Sequence, residues 1–410
     1  MKIREEHLAV TLPEVIIVTD SYFPNGSADA NNLQGHCHAI KTAGFTVGLL
    51  PRKAAGQSAP RNGEGACSFR GHPYWLVHDP TRLPKIRRLL RGYFGIGDQR
   101  IAWLRRQGLT GVKAVIALPG SGGTVGLLWW LRRLCKNFRV PLYNIVLEWI
   151  APQHRPEGVF SATLDSEIQR RYMNHRLDGT ICITESLQAY YKRAGARCIV
   201  VPPLLDLSDP KWKTPAGSPP PEPKKLLRLL FSGGPERDRQ DIVLRAVKRL
   251  REKGVSIELE YLGADRSKVE ALPNVGSELI DSLGSAVRFH GRVADDQVLK
   301  IAASASFGII LRDQAHWSRS LFPSKVPEFL ALKVPMICNY TSDLHKFLKD
   351  GHNAMIVDGT PVEALCVALE RASSLSAEKF LAMKANAATS AREFDGEKYA
   401  ASYRQLFGAS

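Results

Sequence analysis

Twelve short apolar runs, alternating with helix-length amphipathic segments, predict an α/β chain folded as two doubly wound, Rossmann-like domains. Three observations carry this expectation. The 410 residues exceed what one hydrophobic core usually supports. The runs are nearly continuous in Val, Ile and Leu instead of alternating with polar residues, the mark of parallel strands covered on both faces. They also fall into two sets around a stretch rich in Pro and Lys.

In the first set, strands are predicted at 15–19, 45–50, 112–118, 142–147, 179–183 and 198–201. In the second they are predicted at 226–231, 257–262, 286–289, 307–311, 335–338 and 354–357. Residues 208–225 read as a semi-rigid linker and hinge, which puts the first domain at 1–207 and the second at 226–410. Helices are expected over 377–392 and 397–407, and the last is placed to pack back on the first domain.

A hydrophobic fraction of 44% and a charged fraction of 23% suit a soluble globular protein. The formal charge of +16, from 56 basic and 40 acidic residues, favours an anionic partner: nucleic acid, lipid headgroups or a phosphorylated substrate. Seven cysteines stand singly, with no C-x-x-C pair, so neither a zinc site nor a disulfide framework is indicated and a reducing compartment is expected. The N-terminus is charged and soon interrupted by Pro13, unlike a secretory signal. No apolar stretch approaches the roughly 20 residues that span a bilayer. The chain is therefore expected in the cytoplasm or on the inner face of the cell membrane.

One stretch breaks the strand–helix rhythm. Arg82, Lys85, Arg87, Arg88, Arg91, Arg100, Arg105 and Arg106 interleave with Leu83, Ile86, Leu89, Leu90, Tyr93, Phe94, Ile101, Trp103 and Leu104. Two readings stand: an amphipathic helix lying on an anionic bilayer, and a buried helix with a solvated basic face. Trp129 and Trp130, with Arg132, Arg133, Lys136 and Arg139 after them, repeat the theme. No groove-reading motif accompanies the charge, so nucleic acid is not expected as a partner.

Chemistry is expected where strands end. The turn after the first strand, Asp20-Ser-Tyr-Phe-Pro-Asn-Gly-Ser-Ala28, contains Gly26, which lets backbone approach a ligand. The second domain opens with Ser232, Gly233 and Gly234, then Arg237 and Arg239. Close backbone and guanidinium forks there would cradle a diphosphate. The most informative segment runs from Leu321 to Ile337. Ser324 is a good N-cap for a short helix, whose amides and positive end favour an anion. Lys325 adds a full charge, and Glu328, one turn on, could accept hydrogen bonds from ribose hydroxyls.

The Pro323-Ser-Lys-x-x-Glu-Phe-Leu-Ala block, with Val334-Pro-Met-Ile after it, resembles the donor-site signature of family 4 retaining glycosyltransferases of the GT-B fold. Phe231-Ser-Gly-Gly-Pro-Glu-Arg237 is similar to the family's glycine loop, and Phe289-His-Gly-Arg-Val293 to the loop beside the nucleobase. Leu147-Glu148-Trp149 and the segment Thr184 to Tyr191 resemble acceptor-domain segments of bacterial exopolysaccharide-type members. The resemblance is good from Leu142 onward and weak between Pro51 and Gly111. It implies two domains facing a cleft and transfer of a sugar from a nucleotide-diphosphate donor, with retention, to a saccharide or a lipid-linked polysaccharide precursor.

Carried over residue by residue, Glu328 would bind the ribose, while Lys325 and Arg237 would neutralise the diphosphate. Ser324 would offer its hydroxyl or amide to phosphate, Arg292 would lie by the base, and Gly26 would face the scissile bond. Glu148 and Trp149 would sit on the acceptor side. The family often has a second Glu facing the donor sugar, and Ser320 stands there in this chain; the family's first-domain His has no counterpart either. No D-x-D-like pair stands out to hold a metal, so catalysis without metal or cofactor is expected, with fixed cations stabilising the departing diphosphate. A non-catalytic GT-B scaffold and a sugar-nucleotide epimerase are the alternatives.

Overall fold

In the computed structural model, residues 11–24, 28–54, 67–77, 98–120, 124–149, 160–213 and 220–408 are described. Two compact units appear: residues 1–201 with 399–410, and residues 202–398. Their division falls between Val201 and Pro202, earlier than the expected 207. Leu205 accounts for this, because its backbone bonds Phe394 and Gly396 of the second unit at 2.8 and 2.9 Å.

The first unit contains strands β1 (Val15–Phe23), β2 (Val47–Ala54), β3 (Cys67–Phe69), β4 (His72–Tyr74), β5 (Ala114–Leu118), β6 (Leu142–Val146), β7 (Gly179–Cys182) and β8 (Cys198–Val200). Its helices are α1 (Ala28–Thr42), α2 (Gln99–Gln107), α3 (Thr124–Phe138), α4 (Phe160–Ile168) and α5 (Glu185–Arg193). The sheet order is β3-β4-β2-β1-β5-β6-β7-β8, parallel except for the β3–β4 pair. All six predicted strands are present. The β3–β4 hairpin was not foreseen. Its arms are three residues each, too short for a hydrophobic period, and it turns on Arg70 and Gly71 with φ of 53° and 75°.

Burial on both faces makes β1 a strand: Val15 to Thr19 are fully inaccessible. Asp98 caps α2 by accepting the Arg100 N–H at 2.9 Å, and Asp165 caps α3 by accepting from Thr124 and Val125.

The second unit holds β9 (Leu227–Ser232), β10 (Ile257–Leu262), β11 (Val287–Gly291), β12 (Phe307–Ile310), β13 (Met336–Cys338) and β14 (Ala354–Ile356). Its sheet is parallel throughout, in the order β11-β10-β9-β12-β13-β14. Around it lie α6 (Gln240–Glu252), α7 (Arg266–Glu270), α8 (Gly276–Asp281), α9 (Asp295–Ala303), α10 (His316–Ser320), α11 (Lys325–Ala331), α12 (Val362–Ser373) and α13 (Ala377–Ala391). Strand neighbours reverse direction in sequence at β9/β12, so the crevice beyond the carboxyl ends of these two strands is where such a sheet takes ligands.

The final helix, α14 (Ala400–Phe407), belongs to the first unit. Phe407 meets Phe45 edge-on at 5.3 Å, and Tyr143 Oη donates to the Leu406 carbonyl at 2.9 Å. Tyr403 Oη lies 2.5 Å from Nδ1 of the buried His36 on α1. Among the described residues no helix is long and apolar enough to cross a membrane.

Candidate functional site

The glycine loop leaves β9 at the sheet's switch point. Gly233 has φ of 122°, a conformation that L side chains rarely adopt, and its N–H donates to the Leu262 carbonyl at 2.9 Å. A Cβ on Gly234 would lie 2.5 Å from Glu236 Oε2, so a side chain there would force Glu236 aside. The chain then makes one 3₁₀ turn, Pro235–Arg237, that leaves Arg237 on the surface.

Beyond this turn the backbone is held by a frame of charged side chains. Arg239 forks onto Asp241 with two bonds of 2.9 Å and reaches Asp313 at 2.8 Å. Arg312, just past β12, donates from Nε to Asp238 at 3.0 Å, and this pair is buried. Desolvation pushes the Asp238 carboxyl above its ordinary range, against the opposing pull of Arg312. The Arg312 backbone is held on both sides by the Asn339 amide, at 3.0 and 2.6 Å. One donor of the Arg312 fork, Nη1, is buried with no protein acceptor. Arg239, expected at a diphosphate, is instead committed to two carboxylates, which raise its pKa further. Arg312 and Asn339 were not foreseen, although their positions past strand ends were the available signal.

Lys325 and Glu328 lie on the first turn of α11. Lys325 Nζ is 2.7 Å from Glu328 Oε2, and both side chains are largely sheltered. With Ser232 they line a small cavity walled by Val298, Leu299, Phe329 and Leu332. Ser324 occupies the cap position, but with φ −61° and ψ −17° its hydroxyl makes no capping bond, contrary to expectation. A helical ψ turns that side chain away from the amides an extended cap would reach. Ser320 is buried and donates to the Trp317 carbonyl at 3.0 Å. Arg292 is exposed directly after β11, at the carboxyl end of the same sheet.

In the first unit, Gly26 lies outside the described residues. Within β1, Asp20 accepts the Gly120 N–H at 3.1 Å. Arg100 holds the same point: its guanidinium bonds the Thr19 carbonyl at 2.7 Å, pairs with Asp98 at 2.7 Å and lies 2.9 Å from Asp20. Arg100 is thus no part of an exposed basic face, contrary to expectation. Ile101, Trp103 and Leu104 are likewise buried in the core, whereas Arg105 and Arg106 are exposed; residues 82–97 lie outside the described residues. Trp149 is covered by the Arg170 guanidinium, 3.8 Å from its ring, and by Tyr190 at 5.1 Å. Glu148 beside it is half-buried. Among the described residues, no group of three or more His, Cys, Asp or Glu side chains could hold a metal ion.

Residues 227–374, which contain the glycine loop, Arg312 and the Lys325–Glu328 pair, match the family model described as "Glycosyl transferases group 1". No curated protein matches the chain. Solved structures match over nearly its whole length. Sucrose-phosphate synthase of Thermosynechococcus elongatus is 15% identical, with 97% of this chain and 100% of that one covered and a TM-score of 0.68. HepE of Anabaena, solved in complex with UDP-glucose, is 13% identical over 97% and 100% of the two chains, with a TM-score of 0.63. WaaG, a glycosyltransferase involved in lipopolysaccharide biosynthesis, is 14% identical with the same coverage and a TM-score of 0.60. The two parallel-sheet domains have the fold of GT-B glycosyltransferases.

Proposed function

We propose that the chain is a retaining glycosyltransferase that moves a sugar from a nucleotide-diphosphate donor to a saccharide or lipid-linked acceptor, without metal. The observation that carries this reading is the convergence of Ser232, Lys325 and Glu328 on one cavity at the switch point of the group 1 domain. Departure of the diphosphate builds negative charge. Lys325 and Arg237 would meet it with fixed positive charge, and preorganised charge at a developing anion is the largest single term in most such reactions. Glu328 would accept from the ribose hydroxyls. Ser324, Gly233 and Gly234 would approach phosphate through backbone, Arg292 would lie beside the base, and Gly26 would face the scissile bond. The complexes of HepE with UDP and UDP-glucose make uridine diphosphate sugars the first donors to try.

Double displacement would need a carboxylate against the anomeric carbon. None is assigned, so front-face substitution is the preferred route, by family analogy. Glu148 and Trp149 are assigned to the acceptor side, and the +16 charge supports work at the inner face of the cell membrane, on an anionic surface. The test is turnover of radiolabelled nucleotide sugars with and without a membrane lipid extract. Sugar appearing in the lipid fraction supports transfer. Conversion of the free donor to an epimer, or no turnover at all, would point to the alternative enzyme or to a scaffold.

A further inference from the structure

Nine large hydrophobic side chains are exposed among the described residues, and five of them lie on one pair of helices: Trp129 and Phe138 on α3, Leu164 and Ile168 on α4, and Tyr172 on the π-helical turn that continues it. The two helices run side by side. Asp165 bonds the start of α3, and further along Arg132 Nε donates to the Arg176 carbonyl at 2.8 Å. Leu164, Ile168 and Tyr172 recur every fourth residue and so share a face. Trp129 is 46%, Leu164 51% and Tyr172 53% exposed, on two helices that are neighbours.

The charged residues of these segments are mostly basic. Arg133 lies over the Trp129 ring at 5.9 Å, and Arg176 over Tyr172 at 3.2 Å. Lys136, Arg139 and Arg171 are exposed nearby. The acidic residues of these segments are already engaged: Asp165 caps α3, and Glu167 pairs with Arg170 and Arg171. Aromatic rings with aliphatic neighbours inside a rim of arginines match the boundary of an anionic bilayer, where rings sit at headgroup depth and cations meet lipid phosphates. A protein partner would have to supply both an apolar patch and surplus acid.

We infer that the α3–α4 face is where this chain docks on an anionic lipid surface, through Trp129, Leu164, Ile168 and Tyr172 with Arg133 and Arg176. The inference rests on the membrane placement proposed above. It moves the contact away from the segment around Trp103 and Leu104, whose apolar side chains are buried in the core.

The test is flotation of the full chain with vesicles of phosphatidylglycerol and phosphatidylcholine, against phosphatidylcholine alone. The wild type is expected to bind only the anionic vesicles and to be released by salt. The combined variant Trp129→Ser, Tyr172→Ser, Arg133→Gln and Arg176→Gln is expected to weaken binding by about tenfold or more. Arg105→Gln with Arg106→Gln should bind as the wild type does. All six residues are solvent-facing, so thermal unfolding should not move. Equal binding by the combined variant would overturn the docking face while leaving the membrane placement intact. A wild type that ignores anionic vesicles at low salt would remove the membrane placement itself. Self-association lost in the combined variant, without vesicle binding, would assign the face to a second copy.

Discussion

Lys325 and Glu328 hold each other at 2.7 Å, so the cation proposed for the diphosphate and the carboxylate proposed for the adjoining ribose neutralise one another in the unliganded chain. The two lie three residues apart on the first turn of α11, where side chains are neighbours whether or not a ligand is bound. On the proposed reading, a bound diphosphate takes over as partner of the ammonium and the ribose as partner of the carboxylate.

Lys325→Ala and Arg237→Ala are each expected to raise the transfer barrier by about 2–4 kcal/mol, the scale for losing a preorganised charge at a developing anion. Thermal unfolding should shift little, because the Lys325 pair lies within one helical turn and Arg237 is exposed. Steady-state kinetics on both variants check this, and wild-type rates in both would displace the diphosphate from this loop.

Treatment with EDTA is expected to leave transfer unchanged, since side chains are assigned the positive charge at the departing phosphate. Activity that disappears and returns only with added manganese or magnesium would overturn that assignment.

The carboxylate of Asp238 depends on Arg312 as its buried partner. Arg312→Met should destabilise the second unit by about 3–5 kcal/mol, because it strands a buried charge. Adding Asp238→Asn should recover part of the loss, a coupling that urea denaturation of the two single variants and the double variant would measure. Strictly additive effects would show that the pair is not coupled.

Much of this architecture was legible in the sequence, and the exceptions share a cause. Strands such as Val15 to Thr19 read clearly because burial on both faces makes them continuously apolar. The closeness of Lys325 and Glu328 was legible too, since three residues on a helix make neighbours. Arg100 was misread. An arginine among Ile101, Trp103 and Leu104 looks like the cationic face of an amphipathic helix. Its burial is decided by Thr19 and Asp20, some eighty residues earlier. Arg312 was missed for the same reason, its partner Asp238 lying 74 residues away. The Cys67–Phe69 strand is simply too short to show a period.

Burial holds the His36 imidazole far below its usual range, at about 3. The folded state therefore excludes a proton that the unfolded chain takes up below about pH 6.5. Stability from this group is complete above that pH and falls by about 1.4 kcal/mol per unit as pH drops toward 3. His36→Gln should flatten the acid limb of stability measured by chemical denaturation between about pH 6.5 and 4. An unchanged slope would mean that another group carries it.

Calorimetric titration with UDP tests the central claim most directly, because it asks whether this pocket holds a nucleotide diphosphate before any acceptor is known. The wild type is expected to bind one UDP per chain. Lys325→Ala and Glu328→Gln should each weaken binding by about tenfold to a hundredfold, the loss of one charge-assisted hydrogen bond. Absence of binding by UDP and by every other nucleoside diphosphate, or equal affinity in both variants, would contradict the account.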